Sequence, residues 1–191
     1  VVQWSASEQR LYYDCIAEGW YEHVHSGRPG HRATCLAISR DQGMTWTKPN
    51  LGLALWNGSR ANNILWPLEP NNRSGGGLEG LFRDDRRGVP DSERWKMLCG
   101  VCEPACLKHG QGVCASPDGI HWRVVVSHAA ISSDTYNMGQ WDPVSQQYAF
   151  YMRHEPPPGG FVAGGPPDRR QIGLCLTPTL EDICIGGKGN I

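Results

Sequence analysis

The sequence predicts an all-β protein, a partial β-propeller of about three four-stranded blades, and three observations carry that prediction. The polar bend Ser39-Arg40-Asp41-Gln42-Gly43-Met44-Thr45-Trp46 returns one residue shorter from Ser116 to Trp122, and in worn form at Thr177-Pro178-Thr179, without its closing Trp. The bends follow aromatic-bearing segments at a near-constant interval: 35 positions from Trp4 to Ser39, 34 from Phe82 to Ser116 and 36 from Trp141 to Thr177. Such recurrence is the mark of a repeat architecture. Finally, 24 Gly and 14 Pro in 191 residues fit many turns between short strands.

Each unit then reads as four strands. Strand a ends at Trp4, Phe82 or Trp141, and strand b covers Leu11–Ala17, Trp95–Val101 or Tyr148–Arg153. Strand c covers Arg32–Ile38, Gly112–Ala115 or Gln171–Leu176. Strand d follows the bend and is clearest at Arg123–Val126. Segments b and c alternate apolar with polar residues or carry β-branched and aromatic ones, as half-buried strands do. Radially repeated four-stranded sheets are propeller blades. One partial domain spans 1–191, with blades at about 1–55, 76–127 and 134–191. A start at Val1 without Met and an end at Gly186-Gly187-Lys188-Gly189-Asn190-Ile191 read as a fragment or a processed piece.

Charge excludes some partners. With 18 basic against 19 acidic residues, nothing draws the chain to nucleic acid or to an anionic membrane. No apolar run is long enough for a membrane-spanning helix. Eight cysteines allow two readings. Cys99, Cys102, Cys106 and Cys114, with His109 nearby, could hold a metal, although their spacing matches no common zinc pattern. Alternatively Cys15, Cys35, Cys114 and Cys175 are small buried hydrophobes on strands, or disulfide partners if the chain is secreted. No cofactor and no metal is expected, and the oligomeric state is open.

The residues Ser39–Trp46 match the S-x-D-x-G-x-T-W pattern of the Asp-box in sialidase-type propellers. The wider text resembles the five-bladed propeller glycoside hydrolases of the invertase and arabinanase type. That likeness runs through Leu36–Asp41, Lys48–Leu53, Asn57-Gly58-Ser59, Asn62-Asn63-Ile64, Ser116–Trp122, Ser133–Asn137 and Trp141-Asp142-Pro143. The resemblance implies a carbohydrate substrate, hydrolysis of a glycosidic bond, and a secreted or periplasmic setting. A non-catalytic propeller binding glycans or proteins, or a sialidase-like enzyme, is the alternative. The sialidase reading lacks the three convergent arginines and the Tyr–Glu pair it needs.

Blade geometry sorts the loops. The a–b and c–d turns share one side of a meander, and the b–c and d–a connections share the other. In the enzymes resembled, substrate enters on the second side, so the Asp-boxes are structural and Asp84, Asp85 and Asp142 lie on the wrong face. Phe82-Arg83-Asp84 only superficially resembles the Arg-Asp-Pro motif of invertase-like enzymes. Glycoside hydrolysis needs two carboxyl groups, one protonated and one ionised. Asp134, just before the third inner strand, is the first catalytic candidate, and Glu79 and Glu103 compete for the second role. The competing reading makes each a solvated or turn-forming loop carboxylate.

Substrate-binding candidates on that side are Asn137, His23, His25, Trp66, His154 and Arg170. His23 and His25 would share a face of an extended segment, with Glu22 and His31 close, as sugar contacts, exposed loop residues or metal ligands. Arg170, like Arg32, begins a strand c, where it either meets a sugar acid or pins the loop. Trp20, Trp56 and Trp66 are placed either to stack on a sugar ring or to pack the core. Asn57-Gly58-Ser59 and Asn72-Arg73-Ser74 are glycosylation sequons in a secreted chain.

Overall fold

A computed structural model describes residues 1–16, 32–66, 78–100, 110–132, 137–154 and 171–182. They are almost entirely strand and turn, in three antiparallel sheets, with a single 3-10 turn at Asp91–Glu93. The chain divides into two compact units, Val1–Gly77 and Leu78–Ile191.

The first unit holds one sheet in chain order: β1 (Val2–Ser5), β2 (Glu8–Ile16), β3 (Arg32–Ser39) and β4 (Ile64–Trp66). In β3, Ala33 to Ala37 are buried without interruption, as in a strand covered on both faces. Ala33, Cys35, Ala54 and Ile64 form the local core, with Tyr13, Cys15 and Trp56 packed against it. The fourth strand arrives later than its repeat position suggests. After the bend only Thr47 pairs with Ile38, through two backbone hydrogen bonds of 2.8 Å, and the chain rejoins the sheet at Ile64. Pro49 has no N–H to extend that ladder, which explains the early departure.

The second unit holds two sheets. One runs β5 (Leu78–Arg83), β6 (Trp95–Gly100), β7 (Gly110–Ser116), β8 (Arg123–Ser132). The other runs β9 (Met138–Asp142), β10 (Gln147–His154), β11 (Gln171–Thr177), three strands among the described residues. They share a core in which Phe82, Leu98 and Val113 meet Tyr148, Phe150, Cys175 and Leu180. Aromatic edges meet faces there, Phe82 against Phe150 at 6.3 Å and Trp141 against Tyr148 at 4.9 Å between centroids. A Cβ at Gly139 would sit 2.7 Å from the Phe150 ring and 2.8 Å from that of Phe82, so glycine is what lets β9 pass between them.

The three sheets share one register. The first residue of each bend pairs with the start of the preceding strand: Ser39 with Gln9, Ser116 with Trp95 and Thr177 with Tyr148. The aromatic positions used to phase the repeat in sequence do not all coincide in this frame. Trp141 pairs with Tyr148, whereas Phe82 pairs with Lys96, one step further along. A one-residue bulge between Glu79 and Phe82 produces the offset. Phe82 and Trp141 therefore leave opposite faces of their own sheets and meet in the same core.

The bends are built alike. Ser39 Oγ accepts the Gly43 N–H at 2.8 Å, and Ser116 Oγ accepts that of Gly119 at 2.8 Å. The indole N–H of Trp46 donates to the Gly43 carbonyl at 3.0 Å, and that of Trp122 to Gly119 at 3.1 Å. Asp41 accepts the Thr45 N–H at 2.9 Å, and Asp118 those of Ile120 and His121 at 2.9 and 2.8 Å. These carboxylates are consumed within their own turns. The Thr45 hydroxyl and N–H hold Asp41 down at about 2. Burial pushes Asp118 up, but the N–H and side chain of His121 and the Ile120 N–H outweigh it, bringing it to about 2 as well.

Both pKa values are depressed on folding, so the stability they contribute is complete above the ordinary Asp value near 4 and disappears as pH falls toward 2. Acid titration followed by the Thr45 and His121 amide shifts should give midpoints near 2. Midpoints near 4 would mean the carboxylates are not held.

Two disulfides cross neighbouring strands diagonally. Cys15 joins Cys35 between β2 and β3, and Cys99 joins Cys114 between β6 and β7, with Cα separations of 5.8 and 5.9 Å. Cys175 is also disulfide-bonded. Cys99 and Cys114 therefore do not present thiolates to a metal, and among the described residues no cluster of three or more His, Cys, Asp or Glu could hold one.

Beyond the shared core, a buried polar group links the two sheets of the second unit. Asp84 and Lys96 are each 0 % exposed, and Lys96 Nζ lies 2.9 Å from Asp84 Oδ2 while donating to the Glu93 carbonyl at 2.6 Å. The Tyr148 hydroxyl, from the other sheet, donates to Asp84 Oδ2 at 2.6 Å, and the Arg86 N–H donates to Oδ1 at 3.2 Å. Burial first, then the hydrogen bond to Asp84, hold the Tyr148 phenol well above the ordinary tyrosine range. The Arg86 guanidinium covers the group, 5.0 Å from the Tyr148 ring and 5.6 Å from that of Trp141.

Candidate functional site

Charge pairs close the turn-bearing edge of two of the three sheets. Glu8, after the β1–β2 turn, pairs with Arg10 at 2.8 Å and with Arg40 of the bend at 3.2 Å. Glu93, in the β5–β6 connection, pairs with Arg123 just beyond the second bend. A shallow polar cavity of about 320 Å³ lies on this edge of the first sheet, between Gln3, Ser7, Glu8, Gln9, Arg40 and Asp41. Its carboxylates are engaged by Arg10, Arg40, Ser39 and Thr45, so it offers no unengaged acid.

Glu79 stands at the other end, near the start of β5. It lies opposite Leu98 in the register and is half-buried. Its Oε2 accepts two hydrogen bonds from one residue: the Asn137 backbone N–H at 3.1 Å and the Asn137 side-chain amide at 3.0 Å. Asn137, immediately before β9, is only 1 % exposed. Two donors converging on one oxygen fix the position of that oxygen.

The backbone makes this meeting possible. Gly80, directly after Glu79, has φ +60°, and a Cβ there would sit 2.5 Å from the Asn137 carbonyl oxygen and 2.8 Å from Met138 Cα. A left-handed glycine in a strand bulge turns the chain without steric cost and re-aims the neighbouring side chain. It also brings β5 and β9 into backbone contact, closer than any side chain allows. Sequence reasoning named Glu79 and Asn137 but missed Gly80. Its only trace is the glycine in Leu-Glu-Gly-Leu-Phe, where a strand interior disfavours it.

Of the other site candidates, Trp66 belongs to the first unit and ends β4, opposite Thr34. Its indole N–H is buried and meets no acceptor among the described residues. His154 ends β10 opposite Gln171. Asp134, Glu103, His23, His25 and Arg170 lie outside the described residues. Asp84, set aside in sequence as lying on the wrong face, is sealed beneath Arg86 and bound to Lys96 and Tyr148. Asp142 is likewise spent in its own turn, where the Ser145 hydroxyl and the Val144 N–H hold it below the usual carboxylate range.

What the described residues bring together is thus one carboxyl group, fixed near the start of β5 by the residue immediately before β9. Such a group can orient a hydroxyl, or act as one member of an acid–base pair if a second carboxyl group faces it. No protein-family model matches this chain, and no curated protein sequence matches it.

Proposed function

We propose that the chain is part of a β-propeller that acts on carbohydrate, as a glycoside hydrolase-like domain using paired carboxylates, with Glu79 as one of the pair. The observation that carries this reading is the meeting of Glu79 and Asn137, with the carboxyl group held by two hydrogen bonds. Asp134, in the Ser133–Asn137 segment that resembles the invertase and arabinanase type, lies three positions before Asn137 in the sequence and is the candidate for the second carboxyl group.

The propeller part of the reading draws support from the shared register. With the bends superposed, Leu98 and Val113 of the second sheet correspond to Tyr151 and Leu174 of the third. The first pair is buried under the neighbouring sheet, whereas the face carrying the second also presents Met138 (62 % exposed), Ile172 (79 %) and Leu176 (51 %). An apolar face of that kind matches one that another sheet of the same repeat covers.

The test is hydrolysis of a panel of aryl glycosides by the chain and by its Glu79→Gln and Asp134→Asn variants. Each variant should lower kcat by about 10²- to 10⁴-fold while circular dichroism and thermal unfolding remain unchanged. Retained activity in both variants would remove the assignment.

One observation favours a second reading, a non-catalytic propeller that binds glycans or proteins. The third bend has lost its Trp and its Asp, and Thr177 closes it by accepting the Thr179 N–H at 3.4 Å. Saturable glycan binding without turnover, unaffected by Asp134→Asn, would select that reading.

A further inference from the structure

We propose that Asn57 is a site of N-linked glycosylation. Two independent features of the chain meet there.

The first is the turn itself. Trp56 and Ser59 exchange both backbone hydrogen bonds, each 2.9 Å, around Asn57 and Gly58, whose φ angles are +47° and +78°. That is a two-residue hairpin turn of the kind that Asn-Gly forms with least strain. Asn57, Gly58 and Ser59 are all exposed. Trp56 is packed against the core of the first unit, so the tip is fixed from beneath and open above. The sequon hydroxyl, Ser59 Oγ, is occupied only as an acceptor in the bond shown, from the Ala61 N–H at 3.0 Å, which leaves its proton available to donate. A saccharide on this amide extends into solvent and displaces no core side chain.

The second feature is redox chemistry. Disulfides Cys15–Cys35 and Cys99–Cys114 sit in separate sheets, and Cys35 belongs to the core against which Trp56 packs. Paired cysteines of this sort persist in oxidising compartments and are rare where glutathione keeps thiols reduced. The eukaryotic secretory pathway is such a compartment, and an Asn-x-Ser sequon there is an acceptor. The donor is a lipid pyrophosphate-linked oligosaccharide. The Asn57 amide nitrogen forms a bond to the anomeric carbon, the bond from that carbon to the pyrophosphate oxygen breaks, and the lipid pyrophosphate leaves with the electron pair. One amide proton passes to base, and nothing is oxidised or reduced.

The experiment is secretion of the whole chain from a eukaryotic host, carrying Asn72→Gln so that the other sequon is silent. Peptide mass mapping follows, before and after treatment with peptide-N-glycosidase. The peptide bearing Asn57 should carry hexose and N-acetylhexosamine mass and return with Asn57 converted to Asp after the enzyme. Ser59→Ala, which keeps the Asn-Gly turn, should abolish the modification, and Ser59→Thr should raise its occupancy. Secreted, disulfide-bonded protein whose Asn57 is bare in both the Ser59 and the Ser59→Thr forms would overturn the proposal. So would conversion of Asn57 to Asp with no sugar ever attached.

Discussion

Replacing Lys96 by Ala should destabilise the second unit by about 3–5 kcal/mol, the usual cost of leaving one member of a buried ion pair without its partner. The Asp84 carboxylate would keep its hydrogen bonds from Tyr148 and Arg86 but lose the opposite charge that Lys96 places 2.9 Å away, at a position with no exposure to water. Urea unfolding followed by tryptophan fluorescence reads the loss directly. Tyr148→Phe should cost less, about 1–3 kcal/mol, because it removes one acceptor–donor contact and leaves the charges matched. The double replacement Asp84→Leu with Lys96→Met should recover much of what Lys96→Ala loses, since apolar residues carry no desolvation penalty. A loss below about 1 kcal/mol for Lys96→Ala would mean that water reaches the pair.

Gly80→Val should act on both stability and the site. A β-branched residue at φ +60° costs about 1–2 kcal/mol in backbone strain, and forcing atoms into filled space adds about 1–3 kcal/mol. The obstruction is the Asn137 carbonyl, backbone at 2.5 Å that no rotamer change can move aside. The strand β9 must retreat, and with it the two donors on Glu79 Oε2. The expected result is a fall of several degrees in Tm together with loss of any activity that Glu79→Gln also removes. Full activity in a folded Gly80→Val protein would show that the contact between β5 and β9 does not position the carboxyl group.

Most of the strand plan was legible in the sequence because it rests on period and punctuation. Gln147–His154 and Gln171–Thr177 were expected within a residue or two of where they lie, since alternation and flanking turn residues mark a half-buried strand plainly. The repeat was legible as well, because Ser39 and Ser116 perform the same hydrogen-bonding task. What could not be read were features that depend on pairing partners. The bulge at Gly80 shifts register by one, and nothing in Leu78–Arg83 alone says which residue is extra. The cysteine pairs follow from diagonal neighbours across strands, and sequence spacing does not encode diagonals. Lys96 and Asp84 each look like surface residues; only the arrival of Tyr148 from another sheet makes them a buried group. For the site, Glu79 and Asn137 could be named separately, but 58 positions part them, and their bond is a product of two sheets meeting.

The linkage through Asp84 and Tyr148 also decides where the chain can be divided. Phe82 and Leu98 share one core with Tyr148 and Phe150, and the Tyr148 hydroxyl donates to Asp84. A cut between residues 132 and 137 would give two halves, each with a greasy side and a stranded polar group. A cut between Gly77 and Leu78 leaves that partnership whole, so anyone trimming this chain should keep Leu78–Ile191 in one span.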